Sequence, residues 1–462
     1  MPLLSTRGAA TAKAFSSAQQ TNWLAELILH FNNDYGQAIA VSPYNQNVVT
    51  VGGALSTLTS SYYAGQIALT NTNAVNTAKR TVGLVGGAFN VYFYDIAIDQ
   101  NNFNYAAGVT SVYGNDHAYV MRFNTDLTLR YYRTVLGLTG TYVTSARSIE
   151  MDNSSNAYVA GLFNDSALGT SQALLYKLDV NGSVQWQKTL SGGPINFEGF
   201  YAVDIDSSNN VYVAGVTYQT VSTTNGLVAK YNSSGVLQWQ VSISGGSSAF
   251  LKGVKVNPSG GIYITGVVGV SGSSAAFLAK LDSSGAIVWQ RTLGGGGPIS
   301  SFDDIALDNL GNIYGIGRTN INSGTAGYDY LIAKYNSFGV IQWQRTMAGS
   351  TFVTNDFGYG VALDTNGNYY PIGSMYRYNF VSGTYTDDTV FAKLPNNGSL
   401  TGTYSLASTS LIYASTSLPE TAGSYSSSVV SLTDLSSTLT ESTASTITFY
   451  NSAQTYYSTY IP

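Results

Sequence analysis

The chain has no cysteine, so it forms no disulfide, offers no thiolate nucleophile and holds no cysteine-ligated metal. Histidine is nearly absent: His30 and His117 are the two in 462 residues. That excludes a multi-histidine metal centre and disfavours histidine-based catalysis. Charge is scarce as well. Asp, Glu, Lys and Arg make up 10% of the chain, against about 25% in an ordinary soluble domain. The 20 basic and 25 acidic residues leave −5, which is not the footprint of a nucleic-acid binder. No apolar run approaches the roughly 18 residues of a spanning helix, so no membrane insertion is expected. Residues 1–15, MPLLSTRGAATAKAF, carry Arg7 and Lys13 but no apolar core after them. A secretory signal is therefore not expected there.

What is present suits a packed body. Hydrophobic residues reach 44%, tyrosine alone numbers 36, and the 49 glycines and 9 prolines are too few for a low-complexity chain. Gly, Ser, Thr, Asn and Tyr abound while Lys is sparse, as in proteins that work outside cells. An extracellular composition without a signal suits a virion component, made in a host cytoplasm and released by lysis. An unrecognised secretion route is the alternative.

Self-similarity sets the fold expectation. Four tryptophans share one context: VQWQKTL at Trp186, LQWQVSI at Trp239, IVWQRTL at Trp289 and IQWQRTM at Trp343. Nine residues before each lies Lys177, Lys230, Lys280 or Lys334. A second motif follows downstream, as in DIDSSNNVYVAG ending at Gly215 and ALDNLGNIYGIG ending at Gly317. Weaker copies extend the series to closing glycines at Gly52, Gly108, Gly161, Gly215, Gly266, Gly317 and Gly373, seven copies of 51–56 residues. A further copy of the lysine motif, VFAKLPNNGS, carries Lys393. Each copy reads as four short strands joined by Asp/Asn, Ser and Gly turns. Four antiparallel strands repeated seven times describe an all-β, seven-bladed propeller as a single domain over residues 37–406.

The pattern A-K-L-D-x-S-G-x-x-x-W-Q-R-T-L-G-G…D-x-x-G-N-x-Y-x-x-G-x-T resembles the seven-bladed β-propeller repeat of many bacterial and viral surface proteins. The resemblance covers about four fifths of the chain and implies the fold rather than an activity, since propellers host enzymes, binders and passive scaffolds alike. The first copies depart from it: Ala78 and Tyr131 stand where Trp is expected. The opening residues and the Ser/Thr-rich end also resemble structural proteins from tailed phages of marine bacteria.

The two ends lie outside the seven copies. Residues 1–36 form an N-terminal arm for attachment or ring closure. Its segment NWLAELILHF suits a short helix, or an extra strand, because Trp23 precedes Asn47 by the offset that separates Trp186 from Asn210. Residues 401–462 hold 29 Ser and Thr with no basic group, too polar to bury a core alone. Short echoes recur there, SLPE at Ser417, SLTD at Ser431 and TLTE at Thr438. Residues 407–462 are expected to be an assembly segment ordered by partner chains.

Candidate sites compete with plainer roles. The Trp series offers aromatic platforms or, more simply, one packing aromatic per blade. Arg122, Lys177, Lys230, Lys280, Lys334 and Lys393 offer an anion ring, or stems lying over neighbouring aromatics with wet ammonium groups. The Asp–Ser–Gly–Asn turns lack the carboxylate density of a calcium loop and read as capped hairpins. The position flanked by the two apolar residues of the first strand is Ala97, Glu150, Asp204, Lys255, Ala306 and Ala362 in successive copies. Glu150, Asp204 and Lys255 are thus expected to meet near the axis, as a salt-bridge cluster or, less simply, a carboxylate pair for glycoside hydrolysis. No cofactor or metal site is expected.

These readings favour a non-enzymatic structural virion protein of a tailed bacteriophage: a tail, fibre or nozzle component with a role in host attachment. Its partners would be other virion proteins and copies of itself, met through the termini, and a host surface glycan or receptor. A bacterial surface binding module and a tail-associated polysaccharide hydrolase are the alternatives.

Overall fold

The polar turns close hairpins by side-chain capping. In DSSNN, Asp206 Oδ1 accepts hydrogen bonds from Ser208 N and Asn210 N at 2.9 Å each, and Asn210 Nδ2 donates to Asp206 Oδ2 at 2.8 Å. Asn209 takes the left-handed conformation, φ 59°, which Asn tolerates better than most residues. Asp152, Asp308 and Asp364 repeat the arrangement. Each turn reverses a strand onto its neighbour, so consecutive strands pair antiparallel.

The computed structural model describes residues 22–28 and 34–461, except for short stretches in the connections between strands. For the strands at the two chain ends it describes the backbone. Among the described residues there is no helix. Seven antiparallel sheets form the blades of a β-propeller. Blade 4 typifies them: Glu198–Ile205, Val211–Tyr218, Thr224–Tyr231 and Leu237–Ser244, paired in that order from the axis outward. The inner strands of blades 1–7 are Asp34–Val41, Val91–Ile98, Tyr142–Met151, Glu198–Ile205, Ala249–Val256, Ser300–Leu307 and Phe357–Leu363. The core lies between blades, where Val, Ile, Leu and Ala of the two middle strands meet the next sheet.

Blade 7 is completed from the other end of the chain. Asn22–Ile28 is a strand, not a helix, and pairs with Thr384–Lys393 as that blade's fourth strand. Its register aligns Trp23 with Lys393, as Trp186, Trp239, Trp289 and Trp343 align with Lys177, Lys230, Lys280 and Lys334. Trp23 thus holds the repeat's tryptophan position in blade 7. Arg7 and Lys13 lie outside the described residues.

The C-terminal segment departs from the expectation of order imposed by partner chains. It pairs with the protein's own blades, one after another. Thr409–Ser415 adds to blade 6, Glu420–Ala422 to blade 5, Ser426–Val429 to blade 4 and Thr433–Ser436 to blade 3. Thr440–Ser442 then adds to blade 2, Ile447–Tyr450 to blade 1 and Thr455–Ile461 to blade 7. Every blade thereby gains a fifth antiparallel strand, and the chain runs once around the rim against the order of the blades. Gly402–Leu406 adds a sixth strand on blade 6. The physical reason is that closing a ring leaves each fourth strand with unpaired N–H and C=O groups along its outer edge. A polar segment without a core of its own satisfies part of each edge through its backbone. The seven-residue echo between SLTD and TLTE matches the step from the blade 3 strand at Thr433 to the blade 2 strand at Thr440.

Each inner strand carries a β-bulge, between Phe200 and Ala202 in blade 4, opposite the closing glycine, here Gly215. A Cβ on Gly215 would collide with the Gly199 carbonyl oxygen that the bulge pushes toward it. Gly108, Gly161, Gly266, Gly317 and Gly373 face the same backbone clash. The repeated glycine is therefore the imprint of a repeated bulge.

Removing residues 407–462 bares the outer edge of every blade. The truncated protein should unfold at a lower temperature by calorimetry and self-associate in light scattering as its concentration rises. An unchanged midpoint with a monodisperse monomer would show that the rim strands contribute nothing.

Candidate functional site

The repeated residues form blade-to-blade junctions. Tyr212 of the second strand donates to Asp206 Oδ2 at 3.1 Å. The Lys230 ammonium lies 5.0 Å from the centre of the Tyr212 ring, and Trp239 packs against that ring at 6.3 Å. Trp239 Nε1 then donates to Ser283 O of blade 5 at 2.9 Å, and its ring covers Gly285 in the same turn. The sets around Trp186 and Trp343 match, with Nε1 bonds of 3.2 Å to Ser233 O and 3.1 Å to Asn396 O. Arg291, two residues after Trp289, donates to Gly339 O at 2.8 Å across the same kind of junction.

The tryptophans are half-buried architecture rather than open platforms. The basic series makes no free anion ring. Lys177, Lys280, Lys334 and Lys393 lie 4.7, 5.5, 4.9 and 5.9 Å from tyrosine ring centres, and Arg122 lies 4.3 Å from that of Phe103. Lys177 and Lys393 also meet Asp152 and Asp364 at 3.7 Å each. Burial lowers the Lys334 pKa, and Asp308 opposes that. The tyrosine partner is the repeated aromatic of the NVYVAG-type motif, and its place as the hub comes from contacts with other strands that the motif alone does not contain.

The functional candidate is the axial channel, a cavity of about 510 Å³ lined by the seven inner strands. It brings Glu150, Asp204 and Lys255 together. Lys255 Nζ lies 3.1 Å from Glu150 Oε2 and 3.1 Å from Asp204 Oδ1, linking blades 3, 4 and 5. Asp204 Oδ2 also accepts from Val256 N at 2.6 Å. Burial works against the Lys255 ammonium, but Asp204, Glu150 and Asp304 outweigh it and raise its pKa well above the lysine value. Burial raises the Asp204 carboxyl, with Lys255 opposing.

Two further carboxylates, missed in the sequence, lie one pleat along at the residue after the bulge. Asp95 Oδ2 accepts from Ser148 Oγ and Ile149 N of blade 3, both at 2.8 Å. Asp304 Oδ2 accepts from Val361 N of blade 7 at 2.9 Å. Burial raises Asp95 to about 6 and Asp304 to about 7, although these backbone bonds hold both down. Ser148 Oγ also accepts from Val203 N at 3.2 Å, and Lys252 pairs with Asp303. Polar ties thus join blades 2–3, 3–4, 4–5, 5–6 and 6–7 around the axis. The signal for Asp95 and Asp304 was their shared offset two residues before Ala97 and Ala306.

The bulges place one extra residue per blade at one mouth of the channel: Gln37, Tyr94, Arg147, Tyr201, Lys252, Asp303 and Tyr359. The Arg147 guanidinium lies 4.3 Å from the centre of the Tyr94 ring and 5.8 Å from that of Tyr201. Burial raises the Tyr359 hydroxyl to about 12. Among the described residues no group of three or more His, Cys, Asp or Glu is arranged to hold a metal ion.

Fold and channel together define the class, a seven-bladed β-propeller with a polar axial channel. No protein-family model matches the chain, and no curated protein matches it in sequence. Solved structures do match. A puromycin hydrolase is 10% identical, with 83% of this chain and 58% of that one covered at a TM-score of 0.47. The polysaccharide lyase Uly1 is 9% identical, with coverages of 83% and 94% and a TM-score of 0.45. A protein of unknown function from Bacteroides caccae is 11% identical, with coverages of 68% and 93% and a TM-score of 0.38. None of these likenesses bears on activity.

Two measurements check this geometry. Trp239→Phe loses a hydrogen bond, whereas Trp289 Nε1 makes none among the described residues. The first substitution should therefore cost about 1 kcal/mol more than Trp289→Phe in denaturant unfolding; equal costs would remove the bond from the junction. The raised Asp95 and Asp304 pKa values mean that the folded ring keeps protons that the unfolded chain has released. Their contribution is complete below about pH 4 and is lost as pH rises through about 6 to 7. Thermal midpoints should fall over that interval, and Asp304→Asn should flatten the fall. An unchanged slope in that variant would assign the pH dependence elsewhere.

Proposed function

We propose that this chain is a non-enzymatic structural protein of the virion of a tailed bacteriophage, a tail, fibre or nozzle component that displays its propeller toward a host surface. The observation that carries the reading is the rim: the C-terminal segment caps the outer edge of every blade. The fourth strands thus no longer offer their full edges to other chains, and the rim strands that replace them are short, which limits edge-to-edge association in a body exposed outside a cell. The two chain ends meet on blade 7, where Asn22 pairs with Ile461. One attachment point there leaves the channel mouth free. Contacts with other virion proteins and with copies of this chain run through that point, led by residues 1–21. The resemblance of both ends to phage structural proteins supports this reading.

Glu150 and Asp204 share Lys255, and Asp204 also accepts a backbone N–H, an arrangement that supports a structural tie between blades as their role.

Deleting residues 1–21 should leave a folded propeller by circular dichroism that fails to enter particles in a complementation assay. Normal incorporation would overturn the assembly role. The intact protein should release no reducing ends from bacterial polysaccharides. Release that disappears in both Glu150→Gln and Asp204→Asn would establish the hydrolase instead.

A further inference from the structure

The mouth ring divides into two unlike halves. Over blades 5–7, Lys252 pairs with Asp303, and Ser301 Oγ donates to Asp303 Oδ2 at 2.9 Å, so those charges satisfy one another. Over blades 1–4 the polar groups keep hydrogen-bonding capacity in hand. Arg147 Nε donates to Ser145 Oγ at 3.1 Å, and the guanidinium has no carboxylate partner among the described residues. It lies over the Tyr94 ring, with the Tyr201 ring farther off on blade 4. The hydroxyls of both tyrosines and the Gln37 side-chain amide make no hydrogen bond among the described residues.

A guanidinium held over an aromatic ring and tied at Nε to Ser145 has less rotamer entropy left to lose, and its remaining N–H groups match a carboxylate bidentately. Beneath it the channel is lined by Asp95 and Asp304. Asp304 accepts two hydrogen bonds, from Ile305 N and Val361 N, of the roughly four that a carboxylate can take. Where ionised, this floor disfavours an anion that enters deeply, and the open lone pairs of Asp304 accept from hydroxyl donors. The ligand that fits is anionic at one edge and hydroxylated along its body. The cavity, about 510 Å³, lies within the usual range for small-molecule sites.

We infer that the mouth binds a carboxylate-bearing sugar of an acidic polysaccharide, with Arg147 holding the carboxylate, Tyr94, Tyr201 and Gln37 bonding its ring substituents, and hydroxyls directed at the acidic floor. This goes beyond the virion reading and does not depend on it, because the purified chain carries the whole site.

Isothermal titration calorimetry of the intact protein tests it with a panel of galacturonate, glucuronate, mannuronate and guluronate trisaccharides. Maltotriose, a sulfated disaccharide and spermidine serve as controls. At least one uronate should bind, maltotriose should not, and Arg147→Gln should weaken binding at least tenfold. Tyr94→Phe, which keeps the ring and loses the hydroxyl, should weaken it severalfold. If Arg147→Gln unfolds, Arg147→Lys keeps the charge without the fork and should still lose most of the affinity. The inference fails if no uronate binds, if the Arg147 variants bind as the wild type does, if the sulfated sugar binds as well, or if spermidine is the ligand. A failed titration leaves the particle-incorporation test unaffected.

Discussion

The structure depends on one act of closure, the pairing of Asn22–Ile28 with Thr384–Lys393. Hairpins form locally, and six blades build themselves from consecutive residues. The seventh waits for a strand from the opposite end of the chain, and only then do the inner strands surround a common axis. The channel, its polar ties and its mouth exist because that ring shuts. The register of the closing strand restores the repeat's own chemistry, since Trp23 falls opposite Lys393 where the other blades place their tryptophans. The rim strand Thr455–Ile461 then pairs with the closing strand from outside, so both chain ends are tied into the same sheet.

Closure raises a second demand, to hold blade against blade. Toward the turns it is met by repetition: a turn aspartate anchors a tyrosine, the tyrosine carries a lysine and a tryptophan, and the tryptophan covers the next blade's glycine turn. Blade 1 has Ala78 at the tryptophan position and lacks this unit. Near the axis the demand is met by exceptions. Asp95, Asp204 and Asp304 accept backbone N–H groups of the following blade, and Lys255 gathers two carboxylates. Buried carboxyls are a costly way to join strands, which their raised pKa values record.

The bulge links architecture to the candidate site. A regular inner strand would send alternate residues to the two neighbouring blades. One extra residue per blade turns a side chain toward the opening instead. The body can then keep its repeat while the mouth residues vary, with Gln37, Arg147, Lys252 and Asp303 beside three tyrosines.

Much was legible in the sequence because a repeat is a local signal stated many times. The spacing of tryptophans and glycines determined blade number, strand order and turn chemistry, and the charged position in three successive copies marked Glu150, Asp204 and Lys255 as neighbours. The sequence showed that Gly215 was repeated but not why, since the clash it avoids comes from a carbonyl on another strand. Likewise Arg147 sat unremarked, because its lack of a carboxylate partner depends on residues from other blades. The rim segment was misread for the same reason. Its composition announces that it cannot bury a core, which is equally true of a strand waiting for a partner chain and of one waiting for its own ring. Composition determines that backbone groups need partners, but only the tertiary structure decides which edges come within hydrogen-bonding reach.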